Sequence, residues 1–465
     1  MRVVASPAFG LLASFLGASA LLLVALLLPE RTMMVLPLLV LALLALVLYQ
    51  IPVAFAALLV LMYGLGLDIQ FGVQLRDMGG SAAALGVAVV KIAPFALAAS
   101  LILRYGVSRA INWPFLAFTV VGGLSLAILP ISNVIDTGEM VRSFLGSTAP
   151  FALGFALAPH KVWTVLVRGV AAVPVTSALL GLFADLLGLY PAFDRFGRFQ
   201  GLHSPPFLAG FCVTAIFACV LEYLRGFRPI WLVAGGMNLA VLLATQARAP
   251  LFTVALFLLT VFLLSNRRIF PLQRKVDLVM GGLVPAALLL GPFVAYALER
   301  FIGRDGEFNY SGRDIIWPYF TEAIAARPLF GWGLGAGKLI VDPEDPMIRL
   351  LGSNAAHNEY LRLAVDAGIV GCALIFLCII AWIWGGTRRA APSDRLVLRA
   401  ALVAALVHSG FDNTLIATTA VMQFTFFAAA MARARIEARL AQRQHPAWQG
   451  AGRYPPATHG GYATG

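Results

Sequence analysis

A chain of 465 residues that is 60% hydrophobic and only 12% charged, with a mean hydropathy of +0.87, excludes an ordinary soluble domain, in which about a quarter of residues are charged. Continuous apolar runs of about 18 residues exclude a β-barrel, whose strands alternate. The net charge of +12 is read as cytoplasmic loop charge and contact with anionic lipid headgroups rather than nucleic-acid binding, since no basic patch is interleaved with aromatics. The expected fold is therefore all-α: a polytopic integral membrane protein of about 12–14 transmembrane helices with a large periplasmic helical loop.

In chain order, the apolar spans run over 8–28, 33–49, 51–67, 83–103, 114–131, 144–158, 162–189, 206–224, 229–246, 249–265, 276–298 and 359–384. A stretch over 396–432, broken at Asp412-Asn413, reads as a hairpin of two spans or as one span and an interfacial piece. The first run is too long for the apolar core of a signal peptide, and Pro29-Glu30-Arg31 offers no cleavage site, so it reads as a retained span. Cys212, Cys219, Cys372 and Cys378 lie inside apolar segments and read as small buried hydrophobes. This divides the chain into a bundle over 1–298, a loop or lid over 299–358, C-terminal spans over 359–432 and a basic, partly disordered cytoplasmic tail over 433–465. In that tail Arg433, Arg435, Arg439 and Arg443 are expected on a short helix lying on anionic lipid.

Orientation follows the basic loops. Arg267, Arg268, Arg274 and Lys275 form the strongest anchor, with Arg104/Arg109, Arg225/Arg228 and Arg388/Arg389 as the others. Taking these as cytoplasmic puts four segments on the outer side: 190–205, the turn 246–249, the polar island Glu299 to Asn358 and the break at 412–413. The island holds 8 of the 22 acidic residues in an otherwise apolar chain.

The candidate chemistry sits in those outer segments. Arg195 and Arg198 share a loop with Gln200; Arg248 follows Gln246 in a tight turn; Arg313 opens a helix predicted to reach about Ala326; and His357, followed by Asn358 and Tyr360, stands where the chain re-enters the membrane. Arginine at membrane depth is costly, and its planar fork suits phosphate. Snorkelling or topology-setting arginine is the alternative for Arg195 and Arg198, and weaker for Arg248, which opposes the positive-inside bias. Histidine is the side chain suited to general-base work near neutral pH, which sets a catalytic reading of His357 against a purely structural one.

Other chemistries fail on spacing. Gly337-Lys338 resembles the end of a phosphate-binding P-loop, but Trp332 stands where the earlier glycine is needed and Leu339 replaces Ser/Thr. The alternating glycines from Gly331 to Gly337 fit a turn with close backbone approach instead. Asp342-Pro343-Glu344-Asp345 reads as a solvated loop, so neither metal nor cofactor is expected. The few acids placed inside spans argue against an ion-coupled transporter of polyprenyl-linked sugars.

Three blocks then become recognisable: Arg313-Asp-Ile-Ile-Trp317, Arg327-Pro-Leu-Phe-Gly-Trp-Gly-Leu-Gly335 and His357-Asn-Glu-Tyr-Leu-Arg-Leu-Ala-Val-Asp-Ala-Gly-Ile-Val-Gly371. Their order resembles the core of the O-antigen ligase and O-antigen polymerase superfamily, which includes bacterial O-linked oligosaccharyltransferases. Arg198-Phe-Gln-Gly201 and Gln246-Ala-Arg248 resemble its two preceding loop motifs, with Ala247 in place of the usual Ser. The resemblance implies metal-independent, inverting glycosyl transfer at the periplasmic face of the bacterial inner membrane. The donor would be a glycan on undecaprenyl diphosphate. Arg198, Arg248 and Arg313 would hold the diphosphate and His357 would activate the acceptor hydroxyl, with Arg195, Gln200, Gln246, Asn358 and Tyr360 in support. A ligase accepting lipid A–core is preferred over a polymerase accepting another lipid-linked repeat, and an oligosaccharyltransferase ranks last because its relatives often carry an extra C-terminal periplasmic domain.

Overall fold

A computed structural model describes residues 48–67, 70, 80–132, 135, 137–283, 291, 312–342, 344–346, 348, 354–416 and 418–444. The spans read at 8–28 and most of those at 33–49 and 276–298 lie outside the described residues, as does the chain beyond 444. The helices are α1 (Pro52–Gly64), α2 (Gly80–Tyr105), α3 (Trp113–Ser132), α4 (Thr137–Thr148), α5 (His160–Leu186), α6 (Pro205–Gly226), α7 (Pro229–Ala244), α8 (Arg248–Leu264), α9 (Leu272–Leu278), α10 (Arg313–Ala326), α11 (Glu359–Gly386), α12 (Pro392–His408) and α13 (Thr418–Gln444). Among the described residues there is no strand, only two isolated bridges. The protein is an all-helical integral membrane protein. α5, α6 and α11 are each long and apolar enough to cross a bilayer. α1, α7, α8 and Trp113–Ala127 are shorter apolar helices.

Proline and glycine account for where the helices stop. The expected span 144–158 is not one helix: α4 ends at Thr148, and Pro150 leads a tight 3₁₀ turn over Ala149–Phe155. Proline cannot donate the amide that an α-helix needs there. The stretch 396–432 resolves into two helices, α12 and α13, separated by the turn around Asp412. α13 runs unbroken to Gln444, and Arg433 is buried on Glu222 rather than lying on lipid with the rest of the tail.

α6 is the centre of the bundle, buried along most of its length and flanked by α5, α7, α8, α12 and α13. Its core includes Phe211, Phe217, Phe257, Phe426 and Trp163, all nearly inaccessible. Outward, α5 and α8 present Leu179, Leu182, Phe183, Leu259 and Leu263, the surface expected to face lipid.

The loops sort to two ends. One end gathers 104–112, 155–160, 225–228, 266–271 and 387–392, tied by Ser108 N–H to Phe155 O and by Arg225 to Asp394 and Glu437. The other gathers 63–67 with Gln70, 190–204, 245–248, 312–316, 354–358 and 409–416. Its ties are Gln70 Nε2 to Leu202 O, Phe199 N–H to Ala244 O, Trp317 Nε1 to Ala356 O and Glu359 N–H to Ser409 O. All described parts of the segments assigned to one side by charge thus meet at one end of the bundle, opposite the basic anchors.

The island is folded onto this end. Ile316, Phe320, Ala336, Val341, Ile348, Ala356 and Val365 make a small core of their own, and burying a side chain such as Phe320 contributes about 1.5–3 kcal/mol. The glycine run then threads into a break in α11. Gly368 has φ 70°, so the helix loses its regular bonding there. The chain 328–337 satisfies the freed groups: Trp332 N–H donates to Val365 O, Gly333 N–H to Asp366 O, and Pro328 O accepts from Ile369 N–H. Gly331, Gly333 and Gly335 all have positive φ, and a Cβ at Gly331 or Gly335 would collide with Val365 O or Ser143 Oγ. Close backbone approach is the reason for the alternating glycines. Buried beneath them, Arg362 joins Glu359 and Asp366, and Asp366 Oδ1 accepts from Gly337 N–H at 2.7 Å.

Candidate active site

Asn358 starts α11. Its Oδ1 accepts from Tyr360 N–H at 3.1 Å and Leu361 N–H at 3.2 Å, a helix cap that contributes about 1 kcal/mol. Tyr360 donates to Leu406 O at 2.6 Å and packs on Phe376. Both residues therefore fix the frame around His357. His357 itself has φ 45°, left-handed backbone that is uncommon outside glycine and falls more often to Asn, Asp and His than to other residues. Gln246, beside Arg248, has φ 57°. Two of the three described non-glycine residues with positive φ thus fall in the motif positions, the third being Phe227.

The partner that this backbone presents to His357 is Asp412. His357 Nδ1 lies 3.6 Å from Asp412 Oδ1, an electrostatic pair longer than a hydrogen bond. The Asp412 turn is held by Phe411 N–H and Asp412 N–H on His408 O and by a 2.6 Å contact between Ser409 Oγ and Thr414 Oγ1. His408, buried at the end of α12, places Nε2 3.9 Å from Asp412 Oδ2. Burial alone would raise the Asp412 carboxyl. The His357 side chain, the charges of both histidines and the Asn413 amide outweigh it and hold the carboxyl below the usual carboxylate range.

Arg313 comes from the island. It donates from Nη2 to Phe411 O at 2.9 Å, and its Nε is buried with no hydrogen-bond partner. Its pKa is lowered, first by burial and also by the charge of Arg248, against the opposing pull of Asp412. Arg248 and Arg313 are therefore electrostatic neighbours. Phe252, one turn beyond Arg248 on α8, meets Phe411 ring to ring at 6.5 Å, which ties that helix to the Asp412 turn.

The other arginine loop is adjacent but separately organised. Asp194 caps it, accepting from the amides of Phe196 and Arg198, and Arg198 pairs with Asp194 at 2.7 Å. Arg195 and Arg198 both lie over Phe196. Gln200 is buried and donates to Pro191 O. Phe199 N–H on Ala244 O anchors the loop beside the Gln246–Arg248 turn. The structure thus brings together Arg248, Arg313 and His357, and sets the Arg195–Gln200 loop next to them with Arg198 engaged by its own carboxylate.

Asp412 and His408 were not singled out from sequence as site residues. The available signal was an Asp-Asn pair breaking an apolar stretch on the side already holding the candidates. Among the described residues no group of three or more histidine, cysteine or carboxylate side chains is arranged to hold a metal ion.

Fold and site together define a polytopic helical membrane protein with a cationic, histidine-containing site at one membrane end. Residues 233–376 match the family model described as O-antigen ligase, and the resemblance seen in the motifs is borne out. The match includes Arg248, Arg313 and His357 and leaves Arg198, His408 and Asp412 outside. The exopolysaccharide production protein ExoQ of Rhizobium meliloti (strain 1021) is 26% identical over 253 residues, 50% of this chain and 56% of that protein. The putative polysaccharide ligase RP358 of Rickettsia prowazekii (strain Madrid E) is 27% identical over 128 residues, 24% of this chain and 31% of that protein. A putative polysaccharide ligase of Rickettsia felis (strain ATCC VR-1525 / URRWXCal2) is 26% identical over 129 residues, with the same two shares of 24% and 31%. The chain spans little more than half the length of ExoQ and about a third of each rickettsial protein that it matches.

Proposed function

We propose that this protein is an O-antigen ligase of the bacterial inner membrane, transferring polysaccharide from undecaprenyl diphosphate to lipid A–core at the periplasmic face. The observation that carries this reading is the meeting of Arg248, Arg313, His357 and Asp412 at the end opposite the basic loops. The two arginines bind the donor diphosphate and take up the charge that it gains on leaving. Asp412 faces His357 Nδ1, and His357 takes the proton of the acceptor hydroxyl. The oxygen so activated forms the new bond at the anomeric carbon as the bond to the diphosphate breaks on the opposite face, with inversion. No step requires a metal.

A second reading is favoured by ExoQ, whose match is twice as long as those to the rickettsial ligases and whose name concerns exopolysaccharide production. On that reading the same site extends a lipid-linked glycan, and the acceptor is another lipid-linked repeat. Complementation of a ligase-deficient and a polymerase-deficient strain, read as lipopolysaccharide ladders, separates the two. Polymer-capped core restored in the first strain supports the ligase. Restored chain length in the second strain alone overturns it in favour of the polymerase.

A further inference from the structure

The basic end of the bundle contains a cavity of about 370 Å³, remote from His357. It lies between the 110–113 segment, the C-terminal end of α11 and the last turns of α13. Arg388, Arg389, Arg435 and Arg439 line it, with Trp382 buried behind and Trp113 half exposed at its rim. Its walls are fixed. Gly386 packs so closely on Met431 that a Cβ there would strike the thioether. The 106–112 segment is pinned by Asn112 Nδ2 on Phe151 O, Ser108 N–H on Phe155 O and Leu157 N–H on Gly106 O.

The neighbouring arginines show what is unusual about these four. Arg225 is paired with Asp394 and Glu437, Arg168 with Glu222, and Arg433 with Glu222. Among the described residues no carboxylate pairs with Arg388, Arg389, Arg435 or Arg439, and Arg435 Nε is buried without a hydrogen-bond partner. Four arginines lining one cavity carry like charge, and a buried unpartnered donor carries a desolvation cost. An anion with several acceptor oxygens relieves both. Exposed Ile111, Trp113 and Trp384 stand at this same end, the arrangement of residues at a membrane–water interface.

We propose that this cavity binds the headgroup phosphate of an anionic glycerophospholipid, with the acyl chains leaving along the apolar surface beside Trp113 and Ile111. The volume is within the range of small-ligand sites, about 300–1,000 Å³, and the cationic lining is the kind that holds anionic headgroups. The lipid is a resident of the basic end and is chemically distinct from the donor and acceptor proposed at the other end.

Native mass spectrometry of the full chain in detergent tests this. The probes are dihexanoyl phosphatidylglycerol, dihexanoyl phosphatidylcholine, glycerol phosphate and inorganic phosphate. Wild type is expected to bind phosphatidylglycerol at least about tenfold more tightly than any of the other three. Arg389→Gln with Arg435→Gln should lower that affinity by about tenfold or more, since two charge-assisted contacts are lost. Arg389 is exposed, so Arg389→Gln alone keeps the fold and should cost about threefold, which decides the matter if the double variant does not fold. Unchanged phosphatidylglycerol affinity in a folded double variant, or in Arg389→Gln where only that folds, overturns the proposal. Binding of glycerol phosphate or inorganic phosphate as tight as that of the lipid also overturns it, by making the ligand a soluble anion.

Discussion

At the basic end Arg225 lies between Asp394 and Glu437 and Arg433 lies on Glu222, whereas at the opposite end Arg313 has Arg248 as a neighbour and shares Asp412 with His357. The first arrangement neutralises its charge within the protein. It joins α6, α12 and α13, and a ligand has little to gain at this paired cluster, in contrast to the arginine-lined cavity beside it. The second sets Arg313 and His357, with Arg248 as a neighbour, around one partly exposed carboxylate; each cluster holds buried guanidinium nitrogens without a hydrogen-bond partner, Nε of Arg313 here and Nε and Nη2 of Arg433 in the first. The same residue type therefore serves to bind helices in one place and to make a cationic site in the other. The difference lies in what the arginines are seen to face: carboxylates from three helices in one place, another arginine and a histidine in the other.

That comparison breaks if the two clusters respond alike to mutation. Replacing both Arg248 and Arg313 by Ala should reduce transfer by roughly 10²–10⁴-fold, from the loss of two charge-assisted contacts at about 1.5–3 kcal/mol each. The melting temperature should stay near that of wild type, and a thermal melt beside a donor-turnover assay checks both. Arg225→Met should do the reverse. It strands the buried Asp394 carboxylate, a loss of about 3–5 kcal/mol in stability, while the folded fraction keeps its activity per molecule. Denaturant unfolding alongside the same assay reads both quantities.

Gly368→Ala tests the joint between island and bundle. Its φ of 70° and the collision of a Cβ with Leu329 O predict a loss of about 2 kcal/mol or more, with the glycine run 331–337 becoming open to proteolysis. The smallest effect is expected of Asp412→Asn on stability against pH. The Asp412 carboxyl is held below its ordinary range. Its stabilising contribution is therefore whole above the unfolded value near 4 and is lost as pH falls through the lower folded value. The variant should melt slightly below wild type by a constant amount above about pH 5, and the two should converge as pH falls, the variant lacking part of the acid-side fall.

Much of this was legible in the sequence because hydrophobic length and basic loops are one-dimensional signals. The limits of α5 to α8 and of α11 came out within a few residues, and the grouping of their loops at two ends of the bundle agrees with the distribution of arginine and lysine. The sequence reading reached Arg248, Arg313 and His357 from residue chemistry on one side of the membrane, and the family motifs then supplied their order. It missed Asp412 as the partner of His357, because 55 residues and two helices separate them and the pairing depends on how α11 and α12 meet. It also took Arg433 for a lipid-facing residue, since the burial of that arginine depends on Glu222, which no local pattern links to it. The glycine alternation was read as close backbone approach, but the surface approached was an unforeseen break in α11 at Gly368.

The most direct measurement is turnover of a lipid-linked donor by the purified chain and by its His357→Asn variant, with diphosphate release and acceptor glycosylation followed together. Asparagine tolerates the left-handed backbone of position 357, so the variant removes the base without disturbing the turn. The predicted result is a loss of both products by about 10²–10⁴-fold with an unchanged melting temperature. Wild-type rates of transfer in the folded variant would contradict the assignment of His357 as the base.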